Sequence, residues 1–426
     1  MGPEPANQRI PARDQGGDLT LRSTGLTLRL IGWLLFCAAA PVSIAAAQTG
    51  LVIFLGFSLL TASGKRYASL VRLPLFWAWI AYLVTQGIAV FHGGDIMGNV
   101  ANSAENEWVS LAMPVLFLNP PDLRQLRQGW FVFVSVAVVM GFYGIYQHFW
   151  GWDPINRVMI ARMGSFHRAE GTLAFYLTYG AVQLIAMVLA LSRASEDRIE
   201  KRSRVLWYMA ALVLFLSVLA TYGRSLWIGM VPVLIWWFVT LRSRWRAIVG
   251  AGAVLAILMG SILIPELPER AASIGNSYAN ETRINLFRTS WRMIEAKPFF
   301  GHGIGGFNRD FEKYSPAYNY ETKCHPHDDS LLVWVQSGII GLAAFWLMWA
   351  MFFRLAWRAI RGMARAPDPE RHWIIRAGFW AVIALLIAGF FQCYYIDAEV
   401  SELFWVLLAI AVRLSVDTLS TSPEGA

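Results

Sequence analysis

The chain has 426 residues, of which 56% are hydrophobic, 14% aromatic and only 15% charged, whereas soluble domains carry about a quarter charged residues. That balance excludes a soluble globular or disordered chain and points to an all-α polytopic membrane protein. Three cysteines exclude a disulfide framework.

A membrane-crossing helix needs roughly 20 apolar residues, fewer where neighbours or wet cavities help. On that basis twelve crossings are expected near residues 25–47, 49–62, 72–92, 107–119, 129–149, 172–192, 205–222, 226–241, 245–264, 328–354, 373–394 and 398–415. The resulting organisation is a cytoplasmic tail (1–24), helices 1–9 (25–264), a loop subdomain (265–327), helices 10–12 (328–415) and a second cytoplasmic tail (416–426). The first 24 residues are polar and lack a cleavable signal pattern, so the first helix is expected to stay as an anchor. Of the 36 basic residues, 24 fall in the N-terminal tail and the even-numbered connections, which marks that face as cytoplasmic. The net charge of +8 is therefore mainly topological and carries no nucleic-acid footprint.

The other twelve basic residues all lie between 157 and 323, on the extracytoplasmic side. In chain order, the connection 150–171 contains "NRVMIARMGSFHRAEG" with Arg157, Arg162, His167 and Arg168, and "ATYGRSLW" puts Arg224 in a tight reversal between two apolar segments. A guanidinium at that depth is costly unless it is paired or lines a wet cavity. Its planar fork suits phosphate oxygens; snorkelling, or pairing with Asp397 or Glu399, is the alternative. The longest connection, 265–327, contains "ETRINLFRTSWRMIEAKPFFGHGIGGF", and long loops are usually functional. Ile284, Phe287, Trp291 and Ile294 recur at helical spacing, which predicts an amphipathic helix on the membrane ending before Pro298, with Arg283, Arg288 and Arg292 on it or at its start. The four glycines of "GHGIGGF" predict a tight turn with close backbone approach.

"CHPHDDSLLVW" closes this loop. His325 and His327, with Asp328 or Asp329, are a possible metal set. Alternatively, one Asp caps the next helix and His327, in its first turn, is a proton acceptor at the wet rim of the bilayer. A helix N-terminus disfavours the protonated imidazole, which keeps it able to accept a proton. Asp397, in "YYIDAEV", could orient or charge-balance His327 or an arginine, and Cys324 and Cys393 lie on the same face and could meet. Trp108, Trp150 and Trp152 read as interfacial anchors.

Taken together, "TYGRSLW", Arg283 standing fifteen residues ahead of a P-x-x-G-x-G turn, and "HPHDDSLLVWVQSGIIGL" with its H-x-H start and G-x-x-G resemble the bacterial O-antigen ligase and polymerase superfamily, which includes protein O-oligosaccharyltransferases. "HRAEGT" is similar to the R-x-x-G-T segment of that superfamily. Asp328 stands where Asn is usual and Phe287 where Trp is frequent. The resemblance implies a GT-C-like bundle in the bacterial inner membrane with its active site facing the periplasm, working without cofactor or metal. It implies transfer of a glycan from undecaprenyl diphosphate to a hydroxyl of lipid A–core, with inversion. His327 would be the base and Arg224 and Arg283 would clamp the diphosphate, while Arg168, Arg288, His325 and Asp397 contact substrate. A polymerase or protein-acceptor enzyme differs only in acceptor; an anionic-lipid transporter would carry charges along a midplane path, and the segment interiors here are nearly free of them.

Overall fold

A computed structural model describes residues 15–62, 66–92, 95–252, 266–273, 275, 280–315, 325–363 and 368–421. In chain order the helices are α1 (Gln15–Ala39), α2 (Ile44–Leu60), α3 (Tyr67–Val71), α4 (Pro74–Val90), α5 (Ile96–Glu107), α6 (Ala112–Leu118), α7 (Leu123–Trp150), α8 (Tyr176–Ala194), α9 (Lys201–Ala220) and α10 (Arg224–Thr240). They continue as α11 (243–252), α12 (Glu266–Ala272), α13 (Glu281–Ala296), α14 (Gly306–Tyr314), α15 (Asp329–Gly362), α16 (Pro369–Gly389) and α17 (Ala398–Ser420). By length and composition α7, α8, α9, α15, α16 and α17 can cross a membrane, and α1 from Thr24, α2, α4 and α10 are shorter apolar helices. The fourth expected crossing is instead a 3-10 turn, Trp108–Leu111, followed by seven-residue α6, about 10 Å of helix against a hydrocarbon core of about 30 Å. The end of the ninth, 253–264, lies outside the described residues.

Helix α8 is buried around its whole circumference, as a helix apolar on every face should be. It packs against α9, α16, α7, α10 and α17. At one end of this core Arg376 of α16 donates to the Ser192 carbonyl at 2.7 Å and Arg193 pairs with Glu370 at 3.0 Å. At the other end Thr178 donates to the Asp397 carboxylate, which also caps α17 through the Val400 N–H. The starts of α8, α10, α15 and α17 and the ends of α7 and α16 therefore gather at one end of the bundle, and every candidate site residue is there.

Three structural features shape that end. The 150–171 connection folds into two short antiparallel hairpins, Trp152–Asp153 with Val158–Met159 and Arg162–Met163 with Phe166–His167, which the sequence pattern did not reveal. Second, the "RAEGT" turn is clamped: Gln147 accepts the Gly171 N–H and donates to the Gly171 carbonyl, both at 2.8 Å, and Thr172 donates to the Val42 carbonyl at 2.8 Å. The expected tight glycine turn is the third. Gly338 interrupts α15 with φ 69° and ψ −173°, a conformation nearly confined to glycine. Ile339 N–H then donates to the Pro298 carbonyl at 2.9 Å, while Val335 and Gln336 carbonyls accept His302 and Gly303 N–H at 2.7 and 2.9 Å. The "PFFGHGIGG" loop thus satisfies the backbone groups that the break in the helix frees.

Helix α13 forms as expected. Leu286, Thr289, Ser290, Met293 and Ile294 are buried, the helix packing against α14 and α15. Of the apolar residues at helical spacing, Ile294 is buried, Ile284 and Phe287 are half-buried and Trp291 is exposed. Thr289 and Ser290 satisfy their hydroxyls inside by bonding back to their own helix.

Two outcomes follow. Gly338→Ala would place a Cβ 2.0 Å from the Phe299 carbonyl oxygen; with the backbone strain this costs about 3 kcal/mol, seen as a lower thermal midpoint in detergent, whereas Gly87→Ala in α4, whose Cβ meets nothing, does not lower it. Burial, and then Glu399, push the Asp397 carboxyl up to about 7 from 3.8, against the Thr178 hydrogen bond. A carboxyl raised in the fold stabilises it fully below about pH 4 and loses that contribution as pH rises through about 7. Asp397→Asn, which keeps a capping oxygen, therefore matches wild type below pH 4 and becomes progressively the more stable protein across that window in a pH series of melting curves.

Candidate functional site

Arg224 is the first residue of α10, after Gly223 at the cap and Tyr222 in a left-handed conformation. Its side chain is buried, and Nη1 donates to the Ser273 carbonyl at 2.7 Å and hydroxyl at 3.2 Å. Arg283, half-buried at the start of α13, and Arg168, in the clamped turn, both act on Arg224 as repelling like charges. Arg168 lies 4.0 Å over the Tyr176 ring, and Tyr176 interacts electrostatically with both Arg224 and Arg283. Burial pulls the Arg283 guanidinium below its ordinary value, partly offset by Tyr176 and Tyr394. Among the described residues none of the three makes an ion pair within 4 Å. Three cations from three separate segments thus converge on two phenols, an arrangement suited to an oligoanion.

His327 does not sit in the first turn of α15. It precedes the cap, in a left-handed conformation with φ 53°, and Asp328 is the cap, accepting the Leu331 N–H at 2.9 Å. Its Nδ1 is bonded to the Gln392 side-chain oxygen and its N–H donates to His325 Nδ1 at 3.2 Å. Burial, then the adjacent His327, bring His325 down to about 4 from 6.5, so it is a neutral acceptor in this turn. Asp329 accepts the Tyr395 N–H at 3.1 Å. The 390–397 connection links the two halves of the site: Gln392 holds His327, while Tyr394, two residues on and at most about 7 Å away along the chain, bonds Ser225 at 2.9 Å and interacts with Arg283.

The remaining expectations are distributed differently. Arg288 is exposed on α13. Arg292 donates to the Tyr314 carbonyl at 3.1 Å, and Arg157 and Arg162 are exposed on the hairpins. His302 is buried between the Asp310 carboxylate at 2.8 Å and the Met293 carbonyl at 2.9 Å, a structural role. Asp397 is bonded to Thr178 and its own helix, and it acts electrostatically on Tyr394. Cys393 is a free, buried thiol, and Cys324 lies outside the described residues. Among the described residues no three His, Cys, Asp or Glu side chains are grouped to hold a metal. Tyr176, Tyr394, Ser273 and Gln392 were not singled out from sequence, because isolated tyrosines, serines and glutamines carry no spacing signal.

Residues 209–346 match the family described as O-antigen ligase. The chain is 24% identical over 159 residues to an O-antigen ligase of Salmonella typhimurium, covering 34% of this chain and 38% of that protein. It is 27% identical over 198 residues to an O-antigen ligase of Pseudomonas aeruginosa, covering 41% of this chain and 45% of that one. The chain therefore spans less than half the length of the curated relatives it matches. The matched segment contains Arg224, the Ser273 that holds it, Arg283, the broken start of α15 and His327, so the likeness to O-antigen ligases falls on the segment that supplies much of the site.

Proposed function

We propose that this protein transfers an O-antigen glycan from undecaprenyl diphosphate to a sugar hydroxyl of lipid A–core on the periplasmic face of the inner membrane, with inversion and without a metal ion. The observation that carries this reading is the convergence of Arg168, Arg224 and Arg283 around Tyr176 and Tyr394, on the same connection that holds His327. A diphosphate leaving group needs its growing negative charge met, and fixed guanidinium groups do so without a metal. The acceptor oxygen forms its bond to the anomeric carbon as the bond from that carbon to the phosphate oxygen breaks, its electron pair passing to the diphosphate. The acceptor proton goes to His327. One displacement gives one inversion. The large share of basic residues on the opposite face supports placing the site outside the cytoplasm.

An in vitro reaction of undecaprenyl-diphosphate glycan with lipid A–core tests this. His327→Ala lowers kcat by about 10²-fold or more, the usual contribution of a general base. Arg283→Ala and Arg224→Ala each lower kcat/KM by about 10²–10³-fold, as loss of a charge-stabilising donor does, with Lys restoring only part because it lacks the fork. Excess chelator leaves the rate unchanged. Substantial turnover by His327→Ala defeats the base assignment, and glycan lengthening without lipid A–core would assign a polymerase instead.

A further inference from the structure

The residue that selects the working form of His327 is on another helix connection. Gln392 is 3% exposed, fixed between α16 and α17, and its side-chain oxygen lies against His327 Nδ1. An amide oxygen can only accept, so Nδ1 carries the proton and the lone pair of the ring belongs to Nε2. The backbone of His327 is held as well. His325 Nδ1 accepts the His327 backbone N–H, its ring 4.4 Å away in an edge-on arrangement. Cys393, next to Gln392, is a free, buried thiol on the facing connection. A left-handed backbone at a non-glycine residue persists only where its surroundings over-determine it, and these contacts from two segments do so.

We propose that Gln392 is the positioning residue of the transfer reaction, fixing His327 as the tautomer whose Nε2 receives the acceptor proton; this rests on the assignment of His327 as base. During the displacement the Nδ1 proton stays donated to Gln392 while the hydroxyl proton arrives at Nε2, so the ring becomes doubly protonated and later releases the Nε2 proton to solvent. A neutral amide orients the imidazole as a carboxylate would, but adds no negative charge that would trap the proton. Among the described residues, the titratable groups beside His327 are His325 and Asp328 on its own segment and Cys393 on the facing one, with Asp329 bonded to the next residue but one, Tyr395.

Three variants test it in the same assay with undecaprenyl-diphosphate glycan and lipid A–core, following kcat, donor KM and the pH profile of kcat. Gln392→Leu, which removes the acceptor, lowers kcat by about 10–100-fold, as loss of a group that orients a functional histidine does, with donor KM unchanged because the arginines are untouched. Gln392→Glu restores most of the activity and moves the acid limb of the profile to higher pH by about one unit, since a carboxylate beside the imidazolium favours protonation. A merely structural role for Gln392 would not shift that limb, and Gln392→Glu reports it even if Gln392→Leu fails to fold. An unshifted limb in Gln392→Glu, or wild-type kcat in Gln392→Leu while His327→Ala is inactive, overturns the positioning role. Activity in His327→Ala would instead remove the base assignment on which the proposal stands.

Discussion

Like charge held together against its own repulsion is the constraint from which the rest of this end of the molecule follows. Arg283 and Arg168 each act on Arg224 at the rim of an apolar bundle, where a guanidinium is costly and a cluster more so. Among the described residues each is fixed by something other than a carboxylate ion pair. The Gln147 clamp and the Tyr176 ring hold Arg168, the Ser273 carbonyl holds Arg224, and the rigid start of α13 holds Arg283. Neutral dipoles and π-faces leave the positive charge in place, whereas paired carboxylates would cancel it.

The carboxylates at this end fit the same logic because they are turned toward backbone. Asp328 and Asp397 cap α15 and α17, and Asp329 accepts from Tyr395. Cap positions satisfy helix N–H groups that would otherwise be orphaned. They place acids close to a cationic site without neutralising it. At the head of α15, Asp328 accepts the Leu331 N–H, which an Asn side-chain oxygen could also do.

Sequence reading reached the parts of this arrangement that leave a local mark. Arg224 and Arg283 stood out because basic residues are depleted on that face, and His327 because two histidines and two acids precede an apolar run. The glycine turn after Pro298 was legible as a close approach, though not its target, since the break at Gly338 is defined by what docks into it. On α13, Thr289 and Ser290 are buried by bonding back to their own helix while Trp291 faces out, an arrangement that apolar spacing does not signal. Gln392 was invisible because "FFQCYY" differs from any other apolar segment end only in what lies opposite, 65 residues away in sequence. The hairpins of 150–171 were missed for a related reason, as pairs of two-residue strands are too short to show alternation.

The apolar packing at this end of the molecule falls into two clusters. Leu286, Met293 and Ile294 of α13, Phe307 and Phe311 of α14 and Val335 of α15 form a small apolar cluster separate from the main core. The main core includes Leu226 of α10, Leu177 of α8 and Tyr394. Arg283 is carried with the small cluster on α13, whereas Arg224 and Arg168 are anchored in the bundle; the head of α15 belongs to both, since Val335 lies in the small cluster and Val333 in the main core. Polar contacts link the same segments: Gln392 to His327, Tyr395 to Asp329, and Ser273, shortly before α13, to Arg224. The docked glycine loop and the break at Gly338 fix how the small cluster seats on the bundle.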